Sequence, residues 1–385
     1  MKGICGIDIN TDRIFISFAA EKKSSPVFRG EIEVAIPLKE PNILEFLKEH
    51  VQEIVQQIRD NEKTYGLKVE KVYLKLPWGM ETVKTYEETI SLKARKKIAP
   101  KDISFAKKAL ETAALDWDDF CVHHFPVTYG IEGKVVNHLP IGLWTRKIRL
   151  KSNLVVIKDK LRRETKDMFD NLEMGFEGFV APAVSAFSGS FIDIDNSGKQ
   201  AVVSVGYDQS HLVIVTEGVI TIVKSFDFGL KGAISILADK FSLPFSLAQK
   251  IFDRYVFLQE RPIAAAESFN KEVSVKSGDS YINLSINSLN TTLIQYIENN
   301  LQSILGCLDS SGVTVSFLGR LNAKEGFRNI LEKFVSFNIA PLPYAVNLSS
   351  SFGCLRYGAL SFLEKDRRRK RTLMERLMKV YKEYF

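Results

Sequence analysis

Two stretches about 200 residues apart follow one pattern, and that repetition constrains the fold more than any other feature of the chain. Ile4, Cys5, Ile7 and Ile9 lead into the turn Asn10-Thr11-Asp12, after which Ile14, Ile16 and Phe18 alternate away from it, as a β-hairpin requires. The segment Ala201 to Tyr207 does the same: it turns at Asp208-Gln209-Ser210 into Leu212 to Val215, with Gly218 and a third strand, Val219 to Val223, behind it. Two similar hairpins imply two similar domains. Helical sequence follows each, over 42–65 after the first and over 230–241 and 246–258 after the second. A long amphipathic stretch, 287–308, then leads to a strand at 313–318 and to Gly319. This alternation predicts α/β halves with mixed sheets.

With 385 residues, 45% of them hydrophobic, the chain has enough apolar side chain for two or more cores. No apolar run approaches the roughly 20 residues that span a bilayer, and the N-terminus carries no secretory pattern. Cys5, Cys121, Cys307 and Cys354 lie far apart, with Cys5 and Cys307 in apolar surroundings, so reduced core or near-core thiols of a cytosolic chain are expected rather than a metal site.

The last twenty residues, 366–385, have a different character. Leu373, Met374, Leu377, Met378, Tyr381, Tyr384 and Phe385 recur at the spacing of one helical face, behind the basic run Arg367, Arg368, Arg369, Lys370 and Arg371. Eight Lys and Arg stand here against three acidic residues, a net +5 out of +7 for the whole chain, so the rest is nearly neutral. A basic body of the kind that binds nucleic acid is therefore not expected. A helix lying on an anionic membrane fits the pattern. At about 1 kcal/mol for each basic side chain near such a surface, the five-residue run offers about 5 kcal/mol, enough for reversible attachment. The alternative is that 372–385 docks on the protein's own core or on a partner helix.

In the order of its features the chain resembles the actin/Hsp70/sugar-kinase superfamily and, within it, the bacterial cell-division family FtsA, over essentially its whole length. Gly6-Ile7-Asp8-Ile9-Asn10-Thr11 is similar to the family's first phosphate motif, G-I-D-I-G-T. The strand 69–76, the helical pattern 102–114 and the strand 121–129 resemble the SHS2-like subdomain, also called 1C, that FtsA inserts into its first half. Residues 153–178 and 181–185 resemble the return to the core, and 241–255 the helix carrying Ala-Glu-x-x-Lys. The resemblance implies an actin-like two-lobed α/β fold. Its first core domain would comprise 1–70, 167–195 and 343–365, with an insert at 71–166. A second core domain at 196–229 and 301–342, a second-half subdomain at 230–300 and a membrane-targeting tail at 366–385 would complete it. It also implies a role on the cytoplasmic face of the membrane, tethering a division polymer of the FtsZ type, with self-association into protofilaments. The polymer's peptide would dock near Lys250 and Arg254.

Departures from the family pattern bear on ATP and Mg²⁺. Asn10 stands where Gly is usual, although Asn tolerates a left-handed backbone. Asp12 replaces a hydroxyl residue and would oppose phosphate unless Arg13 or a metal offset it. In the second hairpin D-I-G-G-G-T is replaced by Ser204-Val205-Gly206-Tyr207-Asp208-Gln209, which removes a carboxylate that would organise Mg²⁺. In the adenosine loop, 317–322, Gly319 remains and Arg320 follows, either stacking on a base or exposed. A degenerate nucleotide site would thus comprise Asp8, Asn10, Thr11, Ser204, Gly206, Gln209, Lys250, Gly319 and Arg320, with little or no ATP hydrolysis. Asp8 is the clearest metal-linked carboxylate, with Asp208 and Asp227 more distant; its alternative role is to cap hairpin amides.

Other chemistry is sparse. His123 and His124 are neighbours on a strand, so they point to opposite faces and cannot chelate one metal. Ser188-Gly189-Ser190 reads as a helix end. The basic cluster Lys93 to Lys97, with Lys101, Lys107 and Lys108, is either solvated surface or a contact for an acidic partner or membrane. Three alternatives to the tether are a PilM-like scaffold for type IV pilus assembly, an active sugar- or acyl-phosphate kinase, and a nucleic-acid binder with a basic tail. The terminal helix argues against the first and the altered glycine loops against the second.

Overall fold

The computed structural model describes residues 1–21, 27–38, 42–136, 139–190, 199–216, 219–258, 272–277, 280–308, 313–334, 337–340 and 350–358. By compactness the chain divides into two units, one of residues 1–9, 13–185 and 351–385, the other of residues 10–12 and 186–350.

The first unit is built on a five-stranded sheet. Strands β1 (Lys2–Ile9), β2 (Ile14–Ala20) and β3 (Val27–Val34) form an antiparallel meander. On the other side of β1 run β4 (Lys68–Lys75) and β9 (Gly175–Val180), both parallel, which gives the order β3-β2-β1-β4-β9. Helix α1 (Ile43–Tyr65) makes the crossover from β3 to β4. Ile43, Leu47, Ile54 and Ile58 form its buried stripe, the Asn42 side chain accepts the Glu45 amide at its start, and Gly66 ends it at φ 64°, in the left-handed region.

Between β4 and β9 the same unit carries a subdomain. Strands β5 (Thr82–Lys97), β6 (Asp119–Ile131), β7 (Lys134–Val136) and β8 (Trp144–Lys158) form an antiparallel sheet ordered β5-β8-β6-β7. Helix α2 (Pro100–Ala114) covers one face through Ile103, Ala106 and Leu110, packed on Ile90, Leu92, Ile148 and Leu150. Helix α3 (Asp159–Asp170) leads to β9, and Leu161 and Phe169 belong to the core of the first sheet. The sequence expectation of an insert over 71–166 therefore shifts: β4 pairs with β1 and α3 packs on the core, leaving 82–158 as the separate sheet. Helix α4 (Pro182–Ser190) follows.

The second unit repeats the plan. Strands β10 (Lys199–Val205), β11 (Ser210–Thr216), β12 (Val219–Phe226), β15 (Thr314–Leu318) and β16 (Asn338–Ile339) run in the order β12-β11-β10-β15-β16, again a meander joined to two parallel strands. Helices α5 (Leu230–Lys240), α6 (Phe245–Tyr255), α7 (Ile286–Leu305) and α8 (Phe327–Glu332), with the hairpin β13 (Glu272–Ser277) and β14 (Ser280–Ser285), complete it. The sequence division at 230–300 has no separate core behind it, because Leu237, Ile251 and Leu293 share one apolar cluster with Ala201, Val203 and Val315.

Helix α9, residues 350–358, returns to the first unit. A Cβ on Gly6 would lie 2.3 Å from the Ser351 carbonyl oxygen and 2.7 Å from the Leu355 nitrogen, so Gly6 lets α9 lie directly on β1. The buried Ser17 and Ser351 hydroxyls both donate to Glu31 at 2.8 Å and fix that seat.

Candidate functional site

Asp8 sits near the end of β1, and the parallel register places Lys75 of β4 beside it. The Lys75 ammonium lies 2.5 Å from the Asp8 carboxylate, with both side chains only 2% exposed. An isolated charge in such a place costs several kcal/mol of lost hydration, a cost that the pairing offsets. Lys75 interrupts the buried run Val72, Tyr73, Leu74, Leu76 and was not recognised as a site residue from the sequence; a lysine inside that apolar run is the signal that marks it.

The surroundings disfavour further charge. The Cys354 thiol of α9 is pushed well above its ordinary range by burial and then by the Asp8 carboxylate, with Lys75 acting in the opposite sense. Glu81, in the loop after β4, is raised by burial, opposed by the amides of its own loop and by Lys75. A divalent cation of the Mg²⁺ type needs about six oxygen ligands. Here the carboxylate already holds an ammonium, which would repel a dication, and among the described residues no group of three His, Cys, Asp or Glu is arranged to hold a metal. These residues do not fit Mg²⁺ at Asp8. The pairing with Lys75 was not among the sequence readings of Asp8.

The hairpin tip Asn10–Asp12 groups with the second unit. There the Thr11 hydroxyl donates to Asp208, whose carboxylate also meets Lys231 at 3.3 Å. Arg320, on the 3-10 turn Arg320–Ala323, bridges Asp12 at 3.1 Å and Asp253 at 3.4 Å. The charge of Asp12 is thus offset by Arg320, while Arg13 pairs with Glu33 at 2.5 Å. Arg320 is a half-buried ion-pair bridge and not an exposed loop residue. The Tyr207 hydroxyl is raised first by burial and then by Asp12 and Asp208. Gln209 donates to Asp227 at 3.2 Å. Asp12, Asp208, Asp227 and Asp253 leave this loop cluster rich in carboxylates, a poor setting for phosphate.

Two glycines have structural reasons to be there. Gly319 has φ 112°, and a Cβ on it would lie 2.1 Å from the Val205 carbonyl oxygen; on Gly206 it would lie 2.7 Å from that of Gln209. Ser204 pairs in register with His211 and Leu318. Lys250 and Arg254 are exposed on α6, whose buried side carries Ala248, Ile251 and Phe252. Beside α6, Lys324 donates to the carbonyls of Phe252 and Asp253 at 2.6 and 3.0 Å, and burial lowers its pKa. The membrane-binding set from Arg367 to Phe385 lies outside the described residues.

In the first unit, His123 and His124 point apart. The imidazole Nε2 of His123 accepts the Ala181 amide at 2.9 Å, so its Nδ1 carries the proton donated to the Tyr357 hydroxyl oxygen at 3.1 Å. Burial lowers its pKa to about 3. His124 joins Glu111 of α2, at 2.7 Å, to Ser152 of β8, at 2.9 Å. Although acid, imidazole and hydroxyl are in line, Ser152 is fully buried and no substrate carbonyl reaches it, so the trio ties α2 to its sheet.

No protein-family model and no curated protein matches the sequence. Solved structures match over nearly the whole chain. A PilM-PilN type IV pilus biogenesis complex is similar at TM-score 0.53 and 11% identity, covering 94% of this chain and 98% of that one. The ethanolamine utilization protein EutJ from Carboxydothermus hydrogenoformans is similar at 0.51 and 11%, covering 93% and 89%. A diol dehydratase-reactivating factor in nucleotide-free form is similar at 0.51 and 9%, covering 94% and 100%. At this identity the likeness is one of fold, and the fold is actin-like.

Proposed function

We propose that this protein is a non-hydrolysing actin-fold adaptor that holds a cytoskeletal polymer or scaffold at the cytoplasmic face of a membrane. The observation that carries the reading is the buried Asp8–Lys75 pair. It gives the first phosphate hairpin an internal cation where nucleotide chemistry would need an available carboxylate, and the loop cluster of Asp12, Asp208, Asp227 and Asp253 adds to the mismatch. ATP and Mg²⁺ are then dispensable, and the fold serves as a rigid platform.

The tether itself rests on the tail. One basic amphipathic helix binds a membrane weakly, but a polymer that gathers many copies multiplies the attachment, so assembly and membrane binding reinforce each other. An FtsZ-type division polymer is the partner that the FtsA resemblance supplies, with Lys250 and Arg254 of α6 as its docking residues. A pilus-assembly scaffold is the second reading, favoured by the likeness to the PilM-PilN complex. Co-sedimentation with anionic and neutral liposomes separates these possibilities from a free cytosolic protein. Removal of 366–385 is expected to weaken binding to anionic vesicles about tenfold or more, and unchanged sedimentation would defeat the tether.

A further inference from the structure

The first unit exposes apolar side chains at one end of its inserted sheet. Of fifteen large hydrophobic residues exposed among the described residues, nine lie between Val83 and Trp144, and four of these are consecutive or nearly so: Leu139 is 57% exposed, Ile141 49%, Leu143 41% and Trp144 54%. They occupy the turn that enters β8, and backbone hydrogen bonds hold that turn open. Ile98, itself buried, donates its amide to the Leu143 carbonyl at 2.9 Å and accepts the Gly142 amide at 2.9 Å, while Leu143 closes on Pro140 at 3.3 Å. Gly142 has φ 88°, a conformation suited to glycine. With the turn pinned in this way, the four apolar side chains face water.

The rim of this turn is basic. Lys97 pairs with Trp144 across the ladder and its ammonium stands 6.0 Å from the indole centroid. Lys93 and Arg95 precede it on β5, and Arg146 and Lys147 follow on β8, all exposed. On the sheet face next to the turn, Lys134, Arg146, Lys147 and Arg149 line a shallow groove that also contains Glu87 and Glu132. Glu87 is ion-paired with Arg149, and Glu132 lies 3.9 Å from Arg95, which leaves the groove positive.

The geometry points to this end of the inserted sheet as a second membrane-binding surface, in which Leu139, Ile141, Leu143 and Trp144 enter the headgroup region of an anionic bilayer while the surrounding lysines and arginines meet lipid phosphate. Charge complementarity selects that occupant: an apolar tip calls for an apolar medium, a cationic ring calls for anions, and a lipid surface offers both in the same order of depth. Tryptophan suits the boundary because its ring is apolar and its N–H is polar. This surface is separate from the tail and does not depend on it.

The test uses the full-length chain and vesicles of equal parts phosphatidylglycerol and phosphatidylcholine. The fluorescence that distinguishes the wild type from Trp144→Phe reports Trp144 alone. It is expected to shift to the blue on vesicles and to be quenched by brominated lipid. Ile141→Asn with Leu143→Asn should abolish the shift and weaken binding by tenfold or more, with an unchanged thermal melt because both positions are exposed. Leu373→Glu with Leu377→Glu disables the tail instead; at lipid concentrations that restore binding, the Trp144 shift should persist. If wild-type protein is bound to vesicles but Trp144 neither shifts nor is quenched, the tail alone carries the membrane and the inference fails. It also fails if wild-type protein does not bind, or if Trp144 becomes protected only when an acidic protein or a second copy of the chain is added.

Discussion

The two five-stranded sheets share an order and a loop length but solve the same position differently. In the first, Asp8 faces Phe15 on β2 and Lys75 on β4; in the second, Ser204 faces His211 on β11 and Leu318 on β15. Both hairpins turn over four residues, 10–13 and 206–209, each with an aspartate third. One sheet therefore carries a charged pair at the place where the other carries a hydroxyl and an alkyl chain. The lesson is that at this position the buried carboxylate comes with a cation of its own, and where the cation is missing the carboxylate is missing too.

Lys75 is where the two sheets differ most in the cost of a substitution. Replacing it alone by leucine removes the cation from a buried carboxylate and is expected to cost about 3–5 kcal/mol by urea denaturation. Combining Asp8→Ser with Lys75→Leu, which installs the pair found in the second sheet, should recover most of that loss. Equal destabilisation by the single and the double variant would show that the pairing is incidental.

Acid should act next. His123 has a folded pKa of about 3 against an ordinary value of 6.5, because burial disfavours its charged form. Below pH 6.5 the unfolded chain takes up a proton that the folded one refuses, so stability is complete above that pH and falls by about 1.4 kcal/mol per unit towards pH 3. Urea midpoints from pH 7 to 4 should show this slope, and His123→Gln should flatten it. Amide exchange should find it in the first unit, where His123 holds Ala181 and Tyr357.

Glycine provides a smaller contrast. Gly319→Ala meets both a left-handed φ and the Val205 carbonyl, and about 1–3 kcal/mol of destabilisation is expected from a thermal melt. Gly6→Ala, which has no such φ, would strain only the seat of α9; near-equal stability of that variant would mean the helix can shift. The smallest effect belongs to Arg320→Ala. Its bridge to Asp12 and Asp253 is partly exposed, and about 1 kcal/mol or less is expected.

The repeat of hairpins made the two-unit plan legible, because alternation in 4–9 and 201–207 survives as strand pairing. The helices at 43–65 and 286–305 were legible from their apolar stripes. The boundary of the insert was less so, since β4 and the strands beyond it are equally β-forming and only pairing with β1 assigns Lys68–Lys75 to the first sheet. At the site, Asp8 was conspicuous by motif, but its partner was not. Lys75 lies 67 residues away and becomes a neighbour only through the parallel register. Arg320 and Asp12, separated by 308 residues, escaped for the same reason, and Arg13, the nearer candidate in sequence, turned to Glu33. The exposed turn at Leu139–Trp144 escaped because an apolar run reads as core until the hydrogen bonds to Ile98 hold it outward.

If Lys75 takes the place that a metal-bound nucleotide would need, calorimetric titration of the full-length protein with ATP, with and without Mg²⁺, should give no saturable heat that depends on Mg²⁺, in wild type and in Asp8→Ala alike. Micromolar, Mg²⁺-dependent binding by the wild type that disappears in Asp8→Ala would contradict it and return the chain to the nucleotide-driven members of its fold.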